Sequence, residues 1–95
     1  MNVYISGPMR GIDNYYENFQ IAERKIKEYG HRVANPADLD VEGLTREQML
    51  NVDFAMMNLC DAIYMLKGWE NSCGANREYG YALGKGMDIM FESDK

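Results

Sequence analysis

Residues 3–11, VYISGPMRG, decide the fold class of this chain. The β-branched and aromatic run at residues 3–5 is stopped by turn residues at 6–8, which predicts a buried strand that ends in a turn. Further along, apolar residues recur at steps of three and four, the period of an amphipathic helix: Phe19, Ala22, Ile26 and Tyr29. A strand that leads through a turn into a helix is the first half of a β-α-β unit.

The rest of the chain repeats this alternation. Residues 31–34 and 62–66 predict two more strands, and residues 87–91 predict the last one. Thr45 and Gln48 match a capping box at the start of a second helix. The apolar stripe of that helix is Met49, Val52, Met56 and Leu59. Residues 74–85 predict a third helix.

The resulting order, β-α-β-α-β-α-β, indicates an α/β fold with a parallel sheet. Right-handed crossovers limit it to a small three-layer, doubly wound sheet of the Rossmann or flavodoxin-like kind, with about four strands and three helices. No repeat, linker or low-complexity tract interrupts the 95 residues, so residues 1–95 are expected to form a single domain.

Composition narrows the classes of partner. Fifteen acidic against ten basic residues give a net charge of −5, which argues against binding to a nucleic-acid polymer but leaves a small anionic ligand open. The sequence contains no apolar run long enough to cross a membrane and no signal-peptide pattern. Cys60 and Cys73 lack metal-ligand spacing and are interpreted as reduced thiols, which favours a cytoplasmic protein.

In doubly wound sheets the ligand crevice lies beyond the carboxyl ends of the strands, which selects the loops at residues 6–13, 35–44, 67–74 and 92–95. The first loop offers backbone amides and one cation for an anion. Ser72 and Gly74 enter the third helix at the same end and offer a hydroxyl and further amides, although Ser72 is equally suited to cap that helix. The candidate anion-binding residues are Ser6, Gly7, Met9, Arg10, Gly11, Ser72 and Gly74, with Trp69 as a candidate for stacking on a base.

Two carboxylates interrupt the apolar pattern of their helices. Asp53 falls within or beside the stripe of the second helix, and Glu78 lies on a face of small residues in the third. An inward-facing carboxylate costs free energy unless it is paired or protonated, so each can be explained as the partner of an arginine or of a backbone group. Two of them near one crevice favour a different interpretation, because paired carboxylates are the usual groups that cleave a glycosidic bond.

Four segments carry a resemblance to a known family: residues 3–11, residues 35–37 (NPA), Asp53 with residues 60–63 (CDAI), and residues 72–82 (SCGANREYGYA). In this order they resemble the nucleoside 2-deoxyribosyltransferase-like superfamily over nearly the whole chain. They are most similar to its short, often phage-encoded members of unassigned function, near the branch of 2′-deoxynucleoside 5′-monophosphate N-hydrolases.

The resemblance implies a role for each matching residue. Glu78 corresponds to the nucleophile that attacks the anomeric carbon, and Asp53 to the acid that contacts the sugar and handles the proton of the leaving base. Tyr4 corresponds to a tyrosine near the reacting sugar, and the loop around Arg10 to a phosphate-binding loop. Ser72 stands where the N-hydrolases carry a phosphate-contacting serine and the transferases an aspartate, which favours a 5′-monophosphate over a free nucleoside.

We therefore expect hydrolysis or transfer of the N-glycosidic bond of a 2′-deoxyribonucleoside 5′-monophosphate, with no metal or cofactor. The resemblance also implies a homodimer or higher homo-oligomer. One alternative is a protein that binds a nucleotide or a nucleotide-derived signal without turnover. The other is a nucleoside-monophosphate phosphoribohydrolase, whose turn before a helical glutamate resembles residues 74–78 but is richer in glycine.

Overall fold

Three helices alternate with four strands along residues 1–39 and 43–92, which are the residues that the computed structural model describes. Residues 40–42 and 93–95, which belong to two of the predicted crevice loops, lie outside that range. The strands are β1 (Asn2–Ser6), β2 (Arg32–Ala34), β3 (Ala62–Met65) and β4 (Asp88–Phe91). The helices are α1 (Tyr15–Glu28), α2 (Arg46–Met57) and α3 (Cys73–Lys85), and Pro36–Asp38 and Trp69–Asn71 form short 3-10 turns.

All pairs of neighbouring strands are parallel, and their order across the sheet is β2-β1-β3-β4. This is the flavodoxin-like order, and it confirms the predicted α/β class. β1 is central, and Tyr4 pairs with Ala34 on one side and with Ile63 on the other. Ser6, the last residue of β1, lies opposite Met65 of β3.

Alternating side chains of β1 divide the core into two buried clusters. Val3 and Ile5 pack with one face of α1, through Phe19, Ala22 and Ile26. Tyr4 points to the other side of the sheet and packs with α2 and α3, through Met57, Ala75 and Ala82. The sheet therefore lies between α1 on one face and the α2–α3 pair on the other, which are the three layers expected from the sequence.

The ends of two helices differ from the sequence prediction. Tyr29 and Leu59 are 82% and 77% exposed instead of closing apolar stripes, because α1 ends at Glu28 and α2 at Met57. Leu50 and Met57 are the residues of α2 that are buried. The capping box at the start of α2 is confirmed, since the Thr45 hydroxyl accepts from the backbone N–H of Gln48.

Two further sequence expectations have a counterpart in the structure. Cys60 and Cys73 are both free thiols. Among the helices described, none combines the length and the apolar character that a membrane span requires.

Gly7 sets the distance between the loop after β1 and the neighbouring strand. A Cβ at this position would lie 2.7 Å from the Cβ of Leu66, closer than side chains tolerate. The backbone N–H of Leu66 also donates to the carbonyl of Ser6 at 2.8 Å, so the chain cannot move apart without loss of that bond. Glycine is therefore required here for close approach.

We expect Gly7→Ala to lower the free energy of unfolding by about 1–3 kcal/mol, because the new methyl group overlaps Leu66. Gly80→Ala is the matched control: this residue is exposed in α3 with open space around it, so alanine is expected to stabilise the helix by about 0.5–1 kcal/mol. Urea denaturation of both variants measures these changes. A neutral Gly7→Ala would contradict the close approach.

Candidate active site

A cavity of about 530 Å³ opens at the carboxyl ends of β1 and β3, where the topology places a ligand crevice. Its base is the end of β1, and its walls are the loop after β1, the first two turns of α2 and the start of α3. Nine of the eleven candidate residues from the sequence line it: Tyr4, Ser6, Gly7, Met9, Arg10, Asp53, Ser72, Gly74 and Glu78.

Glu78 lies at the base of this cavity and is only 6% exposed. The Ser6 hydroxyl donates to its Oε1 at 2.6 Å, and the Tyr4 hydroxyl donates to its Oε2 at 3.3 Å. Both donors come from alternate residues of β1 and therefore project from the same face of the sheet. Ala75 and Ala82 are the neighbours of Glu78 on α3, and their small side chains let the helix pack closely enough for these bonds.

Asp53 reaches the same cavity from α2 and is half-buried. Its Oδ1 is buried and has no hydrogen-bond partner within residues 1–39 and 43–92. A buried polar atom without a partner lowers the stability of the folded protein by about 1–3 kcal/mol. An atom of this kind at the wall of a cavity suits contact with a ligand.

The two carboxyl groups and the Tyr4 phenol shift one another's pKa. Burial raises the pKa of Glu78 well above its ordinary value, and the neighbouring Asp53 raises it further, against the hydrogen bonds from Ser6 and Tyr4. Burial likewise raises the pKa of Asp53. Burial, followed by the charges of Glu78 and Asp53, raises the pKa of the Tyr4 phenol well above its usual range. This environment thus favours a proton on the carboxyl pair, and the phenol remains a donor.

The loop after β1 and the start of α3 both line the cavity. Gly7 and Arg10 line it from the loop, and the exposed Arg10 guanidinium forms no ion pair with any residue described. Ser72 lines it from the start of α3, and its hydroxyl accepts from the backbone N–H of Ala75 at 3.2 Å. Ser72 is therefore the N-cap of α3, as one of the two interpretations held, and its O–H is still free to donate.

Three of the predicted residues take other positions or roles. Gly11 and Trp69 are not among the residues that line the cavity. The Trp69 ring instead packs on Tyr79 at a centroid distance of 4.7 Å and near Phe91 at 6.2 Å, where it covers the core. Ser6 lines the cavity, is nearly fully buried, and donates its hydroxyl to the Glu78 carboxyl group.

Sequence reasoning missed the side of α2 that faces the cavity. Arg46, Met49 and Leu50 line it together with Asp53. The signal was present in the spacing, because residues three, four and seven positions apart share one face of a helix. Because the predicted apolar stripe continued through Val52 and Met56, the neighbouring face of the helix was not predicted to line the site.

The structure resembles those of two solved proteins. One is the 2-desoxiribosyltransferase from Leishmania mexicana, with a TM-score of 0.73 and 24% identity over 99% of this chain and 65% of that one. Another is a 2-deoxyribosyltransferase from the psychrotolerant bacterium Bacillus psychrosaccharolyticus, with a TM-score of 0.74 and 18% identity over 96% of this chain and 71% of that one. The fold is therefore nucleoside 2-deoxyribosyltransferase-like.

The family follows from the sequence itself. Residues 1–91 match the sequence profile of a domain of unknown function, DUF4406, and the chain belongs to that family. No curated protein sequence matches the chain. The chain spans 65% of the length of the Leishmania protein.

We expect Glu78 to make the protein less stable as pH rises above 4.5, the ordinary pKa of a glutamic acid. A carboxyl whose pKa is raised by folding binds its proton more tightly in the native state. Its contribution to stability is complete below the unfolded pKa and is lost as pH rises through the folded pKa. One such group changes the free energy of unfolding by at most about 1.4 kcal/mol per pH unit.

Urea denaturation of wild type and Glu78→Gln over roughly pH 4 to 8 tests this, since the amide does not titrate. The advantage of wild type over the variant should shrink with rising pH. Glu17→Gln, which removes an exposed carboxylate on α1, serves as the control and should leave the slope as in wild type. A difference between wild type and Glu78→Gln that is constant with pH would show that the pKa of Glu78 is not raised.

Proposed function

We propose that this protein cleaves, or transfers to a second base, the N-glycosidic bond of a 2′-deoxyribonucleoside 5′-monophosphate, with Glu78 as the nucleophile. The observation that carries the proposal is the carboxyl pair at the base of the cavity. Glu78 is held there by donors to both of its oxygens, near an Asp53 oxygen that has no hydrogen-bond partner among the residues described. A nucleophile that is oriented by fixed donors, next to a second acid, is the arrangement that retaining glycoside cleavage requires.

The first step joins Glu78 to the sugar. A Glu78 oxygen attacks C1′ and forms an ester bond while the C1′–N bond breaks, and its electron pair leaves with the base. Asp53, whose pKa is raised by burial, holds the proton that the departing base takes up. The hydrogen bonds from Ser6 and Tyr4 lower the pKa of Glu78, but burial and Asp53 raise it by more, so the proton of the pair favours Glu78. The proposed step therefore requires that this proton pass to Asp53 when the nucleotide binds, which leaves the charge on the nucleophile.

The second step releases the sugar. Asp53, now ionised, takes a proton from water as the water oxygen attacks C1′, and the C1′–O bond to Glu78 breaks. A second nucleobase in place of water gives transfer instead of hydrolysis. The Tyr4 hydroxyl stays beside the Glu78 carboxylate in both steps as a donor, since its own pKa is raised too far for it to act as a base.

The loop after β1 and the start of α3 offer donors for the 5′-phosphate. The chain carries a net charge of −5, yet Arg10 lines the cavity and forms no ion pair with any residue in the described range. Arg10 lies in the loop after β1, which also offers the backbone of Gly7, and the start of α3 adds the hydroxyl of Ser72 and the amide of Gly74. Cationic and N–H donors of this kind suit a phosphate dianion.

The names of the two structural neighbours support glycosyl transfer as the type of reaction. Both are called 2-deoxyribosyltransferases, and this chain shares their fold. A homo-oligomer remains part of the proposal, as the resemblance to the superfamily implies.

Nucleotide binding without turnover is the second candidate. The observation in its favour is the raised pKa of Glu78, because a glutamic acid that keeps its proton is a poor nucleophile. In this case the cavity holds the nucleotide, and Glu78 donates a hydrogen bond to the sugar.

We expect Glu78→Gln to reduce the release of free base from 2′-deoxyribonucleoside 5′-monophosphates by at least about a thousandfold, because the amide cannot form the ester. Chromatography of the free base measures this, with each of the four common nucleotides as substrate. Glu17→Gln on α1 is the matched control and should release base as wild type does.

The same assay separates the two candidates. Base release by wild type that is lost in Glu78→Gln supports the enzyme. No release by wild type, together with a thermal shift by nucleotide that survives in Glu78→Gln, would replace the enzyme with the binding protein.

We expect Ser6→Ala to move the acidic limb of the pH–rate profile to higher pH. Ser6 donates to Glu78 at 2.6 Å and lowers its pKa, so loss of the hydroxyl leaves the nucleophile protonated over a wider range. The profile of kcat/KM against pH measures the shift. If Ser6 bound the phosphate instead, Ser6→Ala would raise KM at every pH and leave the limb in place.

A further inference from the structure

One face of α2 forms a wall of the cavity, and the polarity of this wall changes along the helix. Arg46, Met49, Leu50 and Asp53 are spaced at i, i+3, i+4 and i+7, and all four line the cavity. Seven residues correspond to two turns, so Arg46 stands almost directly above Asp53, about 10 Å further along the helix. The wall therefore runs from a carboxyl group at the base, through two apolar side chains, to a guanidinium at the mouth.

The apolar middle of this wall suits a nucleobase better than a phosphate. Met49 and Leu50 offer no hydrogen-bond donor, and a dianion placed against them would lose its hydration without compensation. A base is uncharged and presents a flat aromatic face, on which a thioether and an aliphatic side chain pack well. The donors for the phosphate lie elsewhere, in the loop after β1 and at the start of α3.

The guanidinium of Arg46 has no acidic partner among the residues described. Its neighbour Glu47 pairs at 2.6 Å with Arg77 of α3, and Arg46 has no ion pair in the part of the chain that the structure describes. Both arginines lie at the α2–α3 side of the molecule, but only Arg46 lines the cavity. The cation at the end of the apolar wall therefore remains available to a ligand.

From this arrangement we infer that Arg46 determines base specificity and that the preferred nucleotide carries a 6-oxopurine, guanine or hypoxanthine. The inference rests on the proposed function, which places the deoxyribose between Glu78 and Asp53. A guanidinium has donors in a fixed fork and no acceptor. The O6 and N7 atoms of a 6-oxopurine are adjacent acceptors that match this fork, whereas adenine presents an amino donor beside N7.

Equilibrium binding tests this separately from turnover. The 5′-monophosphates of 2′-deoxyguanosine, 2′-deoxyinosine and 2′-deoxyadenosine are titrated into the Glu78→Gln chain, which keeps the bound nucleotide intact, and into wild type. We expect the two oxopurine nucleotides to bind about tenfold or more tightly than the adenine nucleotide, within the discrimination that one bidentate pair provides. Arg46→Gln should abolish this preference and leave the affinity for the adenine nucleotide within about twofold.

Two further variants sharpen the result. Arg46→Lys keeps the charge but loses the fork, so it should lose the preference as well. Arg24→Gln removes an exposed arginine of α1 and should bind as the parent does. Arg46→Gln takes a positive charge away from the N-terminus of a helix, which favours the folded state, and thermal melting should confirm that it folds.

Three results would overturn the inference: no preference in the parent chain, an unchanged preference in Arg46→Gln, or equal weakening of all three nucleotides, which would make Arg46 a general anion contact. A failure of the proposed function looks different. In that case the parent prefers oxopurine nucleotides in an Arg46-dependent way, but wild type releases no base from them.

Discussion

The burial of Glu78 against β1 is the constraint on which the site depends. A carboxyl group that is removed from water needs compensation, and the hydroxyls of Ser6 and Tyr4 provide it from alternate positions of one strand. Their placement requires that β1 be central and that α3 pack closely over it, through Ala75 and Ala82. The strand order and the small residues of α3 are therefore the structural conditions for holding one reactive side chain.

The second carboxyl group, that of Asp53, differs from Glu78 in its hydrogen bonds. Asp53 comes from a different helix, and its Oδ1 has no partner in the described structure. Glu78 accepts a hydrogen bond at each of its oxygens, so the two carboxyl groups are held differently. In the proposed mechanism, this difference separates the nucleophile, Glu78, from the group that exchanges protons, Asp53.

Much of the fold and the positions of the two acids could be predicted from the sequence, for physical reasons. Strands and helices alternate with clear periodicity, and an acid on an inward-facing helical position is conspicuous because burial of charge is costly. The role of Ser6 could not be predicted in this way, since a serine before a glycine turn suits a phosphate as well as a carboxyl group. Only the register of β1 against α3 shows which of the two its hydroxyl reaches.

The contacts of Trp69 and the position of Arg46 could not be predicted for similar reasons. An exposed-looking Trp69 in a loop suggests a stacking surface, but its partners Tyr79 and Phe91 come from elements far along the chain. Arg46 lies two residues beyond the predicted loop at residues 35–44 and was therefore not considered. Its spacing of seven residues from Asp53 places both on the side of α2 that lines the cavity.

The two helices that form the walls of the cavity are joined very differently at their two ends. Deep in the molecule, α2 and α3 meet through the dry packing of Met57 and Ala82. Nearer the surface, Arg77 and Glu47 connect them by an ion pair whose side chains are 52% and 72% exposed, and a contact of this kind is worth at most about 1 kcal/mol. Salt screens the ion pair and leaves the apolar contact intact. Higher ionic strength is therefore expected to weaken the connection between α2 and α3 near the surface and to leave the packing of Met57 and Ala82 unchanged.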